Sequence, residues 1–146
     1  VSTNPSQTPT HPGVGVGALV SHEPSGGDQG FVAEVVQLLQ AYFAGERTPL
    51  VEVPVDLDYE TAFFGRCAAA LRTVPRGEVV SYGELAALAG APGAARAAGT
   101  FCARSRLSLF VPCHRVVAAD GLGSYGSYGV DYKRRLLALE GYPDAL

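Results

Sequence analysis

The sequence contains no tryptophan and no methionine, and only three cysteines in 146 residues. Cys67, Cys102 and Cys113 are an odd number, widely spaced and without a CxxC pair, which argues against a disulfide framework and a zinc cage. Unpaired thiols of this kind suit a reduced, cytoplasmic setting. No run approaches the ~20 apolar residues needed to cross a bilayer, so no membrane span is expected. The start of the chain lacks a basic region ahead of an apolar stretch, so a secretory signal is not expected either. The "GVGVG" at 13–17 has no strand before it and no helix directly after it, which rejects a phosphate-loop reading. Basic residues are almost missing from the first part of the chain. Residues 1–60 carry Arg47 alone against eight acids.

What is present lies mostly later. Residues 61–146 hold ten basic and six acidic residues, and seven of the ten fall in 96–135, beside only Asp120 and Asp131. A net charge of −3 therefore conceals a local basic face, either a solvated surface or the footprint of an anionic partner. Residues 1–30, rich in Gly, Pro, Ser and Thr, read as a mobile tail. A 31–58 region comes next, then a main domain over 59–146. "DQGFVAEVVQLLQAYFAGE" has helical apolar spacing, with Asp28 a possible cap and Gly45 a stop. "LVEVPVDL" alternates, and its proline makes it an edge or extended segment. "TAFFGRCAAALRTVP" predicts a helix ended by Pro75. "SYGELAALAG" opens with Ser81 and Glu84 in capping-box spacing and closes at Gly90. "APGAARAAGTFCAR" comes directly after, with Pro92 at a first-turn position, and the two helices form a candidate helix-turn-helix. "LSLFV" (107–111) predicts a short buried strand that Val116–Val117 continue; "GLGSYGSYG" is a glycine-rich loop, and "DYKRRLLALEG" a final helix ending at Gly141. The sum is an α+β, mainly helical chain.

"FVPCHRVV" places a thiol beside an imidazole. A free cysteine is mostly protonated at neutral pH and only its thiolate is a strong nucleophile, so a neighbouring histidine that takes the proton is a means of activation. A carboxylate beyond the imidazole would orient it, and Glu140 is one candidate. The alternative is a small buried thiol beside a surface histidine. "AARAAG" carries a single Arg96 among alanines and glycines. Such a helix reads few base edges but lets its backbone approach a duplex closely, or else it is an Ala-rich core helix with one snorkelling arginine. Tyr82, at the start of the preceding helix, is either a contact for a phosphate or extruded base or a core-edge aromatic with a wet tip. Arg115 is either a phosphate contact or a structural pairing residue. Cys67 and Cys102 lie on apolar helical faces and read as packing residues.

"VPCHRVV", preceded by "SYGELAALAGAPGAARAAG" and followed by "YKRRLLALEG", resembles the O6-alkylguanine-DNA alkyltransferases, or methylated-DNA–protein-cysteine methyltransferases. The resemblance runs from about Thr61 to Gly141. It implies a helix-turn-helix that binds double-stranded DNA in the minor groove and extrudes an alkylated guanine, as chemistry on a base inside a duplex requires. Cys113 then matches the nucleophile that takes the alkyl group from O6, and His114, through a water, and Glu140 match the relay that forms the thiolate. Arg96 matches the arginine that fills the vacated stack, and Tyr82 the tyrosine that rotates the nucleotide and hydrogen-bonds the base. The carbonyls of Cys113 and Val116 match acceptors for the guanine amine. Ser127 lies in the closing loop, Lys133 matches a lysine near the pocket, and Arg115, in the P-C-H-R motif, is taken with the DNA- and base-binding candidates. The resemblance also implies one turnover per molecule, no cofactor or metal, and a monomer; the alternative it leaves is a relative that binds alkylated DNA without chemistry.

The departures are specific. Ser105 stands where the family usually has an Asn that ties the turn to the active-site strand, and Arg106 where a proline is common. Ala68 stands near the place of a usual tryptophan, which predicts a void unless neighbours refill it. Tyr128 stands where a glycine is usual, and the run of sheet strands expected before residue 50 is missing, so the N-terminal region reads as shortened.

Overall fold

The structure is a computed structural model that describes residues 28–56 and 58–143, and these divide into two units between residues 56 and 57. The expected mobile tail lies outside the described residues as far as residue 27, and residues 28–30 already belong to a helix. That helix, α1, spans Asp28–Phe43 and buries Leu38, Ala41 and Tyr42. The alternating "LVEVPVDL" does not form an extended edge. Leu50–Glu52 is a single 3-10 turn in which the Val53 N–H returns to the Leu50 carbonyl at 3.2 Å. Residues three apart eclipse in such a turn, so Leu50 and Val53 are buried together.

In the second unit α2 spans Ala62–Leu71, with the Thr61 side chain accepting the Phe64 N–H at 3.1 Å. It ends at Leu71, ahead of Pro75, where the sequence placed its stop. The strand β1 (Val80–Ser81) leads directly into α3 (Tyr82–Leu88). Both halves of the capping box form: Glu84 N–H donates to Ser81 Oγ at 3.0 Å and Ser81 N–H to Glu84 Oε1 at 2.7 Å. Gly90, at φ +89°, lets the chain leave α3 while the Ala91 N–H closes on the Ala86 carbonyl at 2.9 Å. Pro92 is not in the first turn of the next helix as expected. It sits in a separate turn, closed by Ala94 N–H to the Ala91 carbonyl, and α4 begins only at Ala95 and runs to Arg104. The helix-turn-helix is thus present with a longer connection than the sequence suggested, and Leu85, Ala86, Ala98 and Phe101 are its buried residues.

The expected strand at 107–111 is not a strand. Leu109 takes φ +76°, incompatible with an extended backbone, and the Val111 N–H folds back to the Leu107 carbonyl at 2.8 Å. Apolar composition correctly marked burial, since Leu109 and Val111 are both in the core, but not conformation. The real strand, β2, is Val116–Val117 and pairs in parallel with β1 in the register Val80 to Val116 and Ser81 to Val117. The last helix, α5, spans Val130–Leu139, with Glu140 at its C-cap and Gly141 turning the chain away. Helices with one two-stranded sheet make the α+β fold that the sequence predicted. Ala68 is fully buried, and the aromatic mass beside it comes from Phe64, which packs edge-on to Phe101 at 5.7 Å, itself edge-on to Tyr59 at 5.6 Å.

Two glycines test this architecture by thermal or urea unfolding. Gly65 lies inside α2, where an added Cβ meets nothing within 4 Å, so Gly65→Ala is expected to stabilise by about 0.5–1 kcal/mol. Gly90→Ala meets no close atom either, but its positive φ makes it destabilising by about 1 kcal/mol or more. Equal effects of the same sign would refute the assignment.

Candidate functional site

Pro112 sets the geometry of the site. At φ −79° and ψ 71° it forms an inverse γ-turn, with the Cys113 N–H donating to the Val111 carbonyl at 2.7 Å. The chain then makes one 3-10 turn, Cys113–Arg115, before entering β2. The turn directs three consecutive side chains to different tasks. All three are buried, with Cys113 5% exposed, His114 0% and Arg115 6%.

His114 Nε2 and Glu140 Oε2 are 2.6 Å apart. A carboxylate only accepts, so the proton of this bond is on Nε2 and Nδ1 carries the lone pair. Nδ1 is buried and has no hydrogen-bond partner among the described residues. Arg115 grips the same carboxylate side-on, Nε to Oε1 at 2.9 Å and Nη2 to Oε2 at 3.0 Å, while its Nη1 donates to the Val74 carbonyl at 2.8 Å. Burial would push the Glu140 carboxyl up, but hydrogen bonds from His114 and Arg115 and their charges outweigh it and hold the group well below the usual carboxylate range. Burial, with the charges of Arg115 and Lys133, lowers the His114 pKa against the raising effect of Glu140. Glu140 is therefore neutralised by Arg115, and His114 stays a neutral imidazole with an open acceptor. Of the two readings of Arg115, structural pairing is the one present. Its guanidinium is buried and engaged by Glu140 and the Val74 carbonyl.

Cys113 opens onto a small cavity whose wall includes Tyr82, Gly99, Cys102, Ser124, Tyr125 and Gly126. Hydrogen bonding from Cys102 lowers the Cys113 pKa, burial raises it, and Ser105 and Lys133 lower it further. Ser105 caps α4, and its Oγ is buried without a hydrogen-bond partner among the described residues. Lys133, fully buried, donates from Nζ to the Ser124 carbonyl at 3.0 Å and lies over the Tyr82 ring at 6.0 Å, so it links the 124–126 loop to α3. Burial lowers its pKa and the thiols at 102 and 113 raise it. Tyr82 is half-buried, with its ring on Gly99 and its hydroxyl at Gly123. A Cβ at Gly123 would stand 3.2 Å from the Ala118 nitrogen and 3.3 Å from the Tyr82 oxygen, so a larger residue would displace the phenol.

The structure thus gathers Cys113, His114, Glu140, Tyr82, Lys133 and Ser105 with the buried Val116. It does not bring Arg96 or Ser127 into the cavity wall, and both are exposed. Arg96 sits one turn before Gly99 on the helical stripe that reaches the cavity at Cys102 and Ala103, and so flanks its mouth. Tyr128, 59% exposed, stacks with Tyr125 and Tyr132 on the loop. Cys102 was read from the sequence as packing and is instead a wall residue; its spacing of three from Gly99 was the available signal. Among the described residues, no three His, Cys, Asp or Glu side chains are grouped to hold a metal, and no helix of theirs is long and apolar enough to cross a membrane.

Residues 62–142 match the family described as 6-O-methylguanine DNA methyltransferase, DNA binding domain. A methylated-DNA–protein-cysteine methyltransferase of Mycobacterium leprae is 49% identical over 115 residues, 77% of this chain and 67% of that protein. The bifunctional transcriptional activator/DNA repair enzyme Ada of Escherichia coli is 46% identical over 93 residues, 64% of this chain and 26% of that one. Among solved structures, Mycobacterium tuberculosis OGT in complex with DNA superposes with a TM-score of 0.65 at 49% identity, covering 73% of this chain and 63% of that one. The chain thus spans about two thirds of the length of its mycobacterial relatives.

Arg115→Leu tests the buried network. Removing one partner of a buried ion pair is expected to cost about 3–5 kcal/mol at neutral pH in urea unfolding. In the unmodified chain the depressed Glu140 pKa contributes stability above the ordinary glutamate value of about 4.3, lost as pH falls. Without Arg115 the carboxyl protonates at higher pH, so the gap between the two proteins should narrow on acidification. A gap independent of pH would refute the arrangement.

Proposed function

Because the chain belongs to the methylated-DNA–protein-cysteine methyltransferase family, we propose that it repairs DNA by moving a methyl or other alkyl group from O6 of guanine to Cys113. The observation that carries this reading is the charge arrangement behind the thiol: a carboxylate satisfied by Arg115 leaves His114 neutral, with Nδ1 free to accept a proton. The Cys113 proton passes to Nδ1 through a water. The thiolate attacks the alkyl carbon in line, the S–C bond forms as the C–O6 bond breaks, and the guanine leaves and takes up a proton. The product is a thioether that water does not cleave, so each molecule acts once.

The base reaches Cys113 by extrusion from the stack. Arg96, exposed on α4 at the cavity mouth, takes its place in the duplex. The small residues around Arg96 let the helix approach the minor groove closely. Tyr82 hydrogen-bonds the extruded base, the Cys113 and Val116 carbonyls accept its amine, and the Ser127 loop closes over it. Lys133 holds Tyr82 and the loop in register. Ser105 supplies from its hydroxyl the support that an asparagine gives in most relatives. We place the protein in the cytoplasm as a monomer acting on double-stranded DNA. A binding module that marks alkylated DNA without reacting is the rival, and a buried thiol supported on several sides argues against it.

Intact mass after incubation with a duplex bearing O6-methylguanine tests the function. One methyl gained by the chain, mapped to Cys113 and absent in Cys113→Ala, is the expected outcome. Retained DNA binding without mass gain would overturn transfer in favour of the binding module. Arg96→Ala should slow repair of the duplex at least about tenfold, roughly the loss of one stacking contact of ~1–3 kcal/mol, while leaving reaction with a free benzylated guanine unchanged. Equal losses on both substrates would remove Arg96 from base extrusion.

A further inference from the structure

Arg66, on α2, lies outside the 96–135 stretch where the basic residues cluster, and the reaction at Cys113 makes no use of it. It is an exposed residue, yet two contacts fix the direction of its side chain. Nε donates to the Ala89 carbonyl at 2.7 Å, and the guanidinium lies over the Phe63 ring, 5.8 Å from its centroid. Ala89 is the C-cap of α3, and a Cβ added at Gly90 would stand 3.9 Å from Arg66 Nε. The guanidinium is therefore held at the turn of the helix-turn-helix. Other arginines of this unit are already committed: Arg104 pairs with Glu60 at 2.9 Å, Arg134 with Asp131 at 2.7 Å, and Arg115 with Glu140. Arg66 uses Nε alone. Its Nη1 and Nη2 have no acceptor, and the group has no carboxylate partner, among the described residues. Gly90, Pro92, Gly93, Ala95 and Arg96, which carry the chain from that turn into α4, are exposed beside it.

We propose that Arg66 is a phosphate-binding residue for duplex DNA, set beside the groove that α4 enters. In a helix-turn-helix the second helix lies in the groove and the first crosses the sugar–phosphate backbone. On that arrangement the end of α3 faces the backbone, and Arg66 presents its charge there from a third helix. A guanidinium fork matches two phosphate oxygens, and Nη1 and Nη2 are the nitrogens left to meet them. The contacts to Ala89 and Phe63 hold the fork in place beforehand, so less side-chain freedom is lost on binding. Such a contact carries no base information. It sets the register of α4 in the groove, and with it the point at which Arg96 meets the stack. The inference rests on duplex DNA as the partner.

The test is the salt dependence of binding to an undamaged duplex, followed by fluorescence anisotropy between about 0.05 and 0.2 M salt. Each phosphate contact contributes about 0.9 to the slope of log K against log salt. Arg66→Gln keeps an amide that can donate to the Ala89 carbonyl but carries no charge, so the slope should fall by about 0.9. Its deficit in affinity should then shrink about 3.5-fold across that range. Arg66→Lys keeps the charge and should keep the slope. Arg66→Met has neither donor nor charge and should match the glutamine variant. An unchanged slope in Arg66→Gln, or equal losses for Lys and Gln, overturns the phosphate contact. A loss confined to Arg66→Met traces to the Ala89 hydrogen bond and overturns it too. Methyl transfer from an O6-methylguanine duplex is measured in parallel by intact mass. Salt-dependent binding by the unmodified chain with no change in Arg66→Gln overturns Arg66 alone. The expected slopes without transfer overturn the repair function and leave Arg66 standing, whereas an unmodified chain that does not bind the duplex overturns both.

Discussion

The Glu140 carboxylate, buried at the end of α5 and shared by two neighbours in sequence, is the constraint on which the site depends. An isolated carboxylate in that position would be protonated or would unfold the site, because burial penalises charge. Arg115 supplies the compensating charge with two parallel hydrogen bonds, a geometry that a lysine cannot reproduce. His114 can then use the same carboxylate without becoming a cation. Without the arginine, more of the compensating charge would fall to the imidazole, which as a cation loses the lone pair that makes it a base. The Cys-His-Arg order is thus one unit: acceptor, base, and the charge that keeps the base neutral.

That unit is held by a short length of backbone. Pro112 turns the chain in three residues, and β2 pins Val116 and Val117 against β1. β1 runs directly into α3, so the sheet register also fixes where Tyr82 starts its helix. Small residues then bring the walls together. Gly99 lets the Tyr82 ring lie on α4, and Gly123 lets the Tyr82 hydroxyl reach the loop backbone. The buried ammonium of Lys133 ties the loop to this arrangement through the Ser124 carbonyl. Base-binding groups and the reacting sulfur are therefore positioned by the same few contacts, and a change at the loop is felt at the thiol.

The departures from the usual family pattern are met locally. Ser105 is short, and its hydroxyl is buried without a hydrogen-bond partner among the described residues, while its influence lowers the Cys113 pKa. Ala68 is fully buried, one helical turn after Phe64, which packs in an aromatic cluster with Phe101 and Tyr59. Tyr128 joins a stack with Tyr125 and Tyr132 and does not fill the cavity.

Local chemistry was legible in the sequence wherever it acts over three or four residues. The Ser81–Glu84 box, the glycine stop at Gly90, the apolar stripes of the helices and the Cys-His adjacency were all readable because their partners are close along the chain. The helix and strand patterns along the chain indicated the α+β class, and the motif order identified the family. What sequence could not decide lies in pairings across tens of residues. Hydrophobicity at 107–111 signalled burial but could not separate a strand from a turn, since the choice depended on Leu109 adopting a positive φ to bring Pro112 to the site. The identity of Arg115's partner, 25 residues away, separates a phosphate contact from a structural ion pair. The role of Cys102 depends on which helical face meets the cavity. Those outcomes belong to the tertiary structure, because only a folded chain excludes water and makes a distant charge or thiol the nearest neighbour.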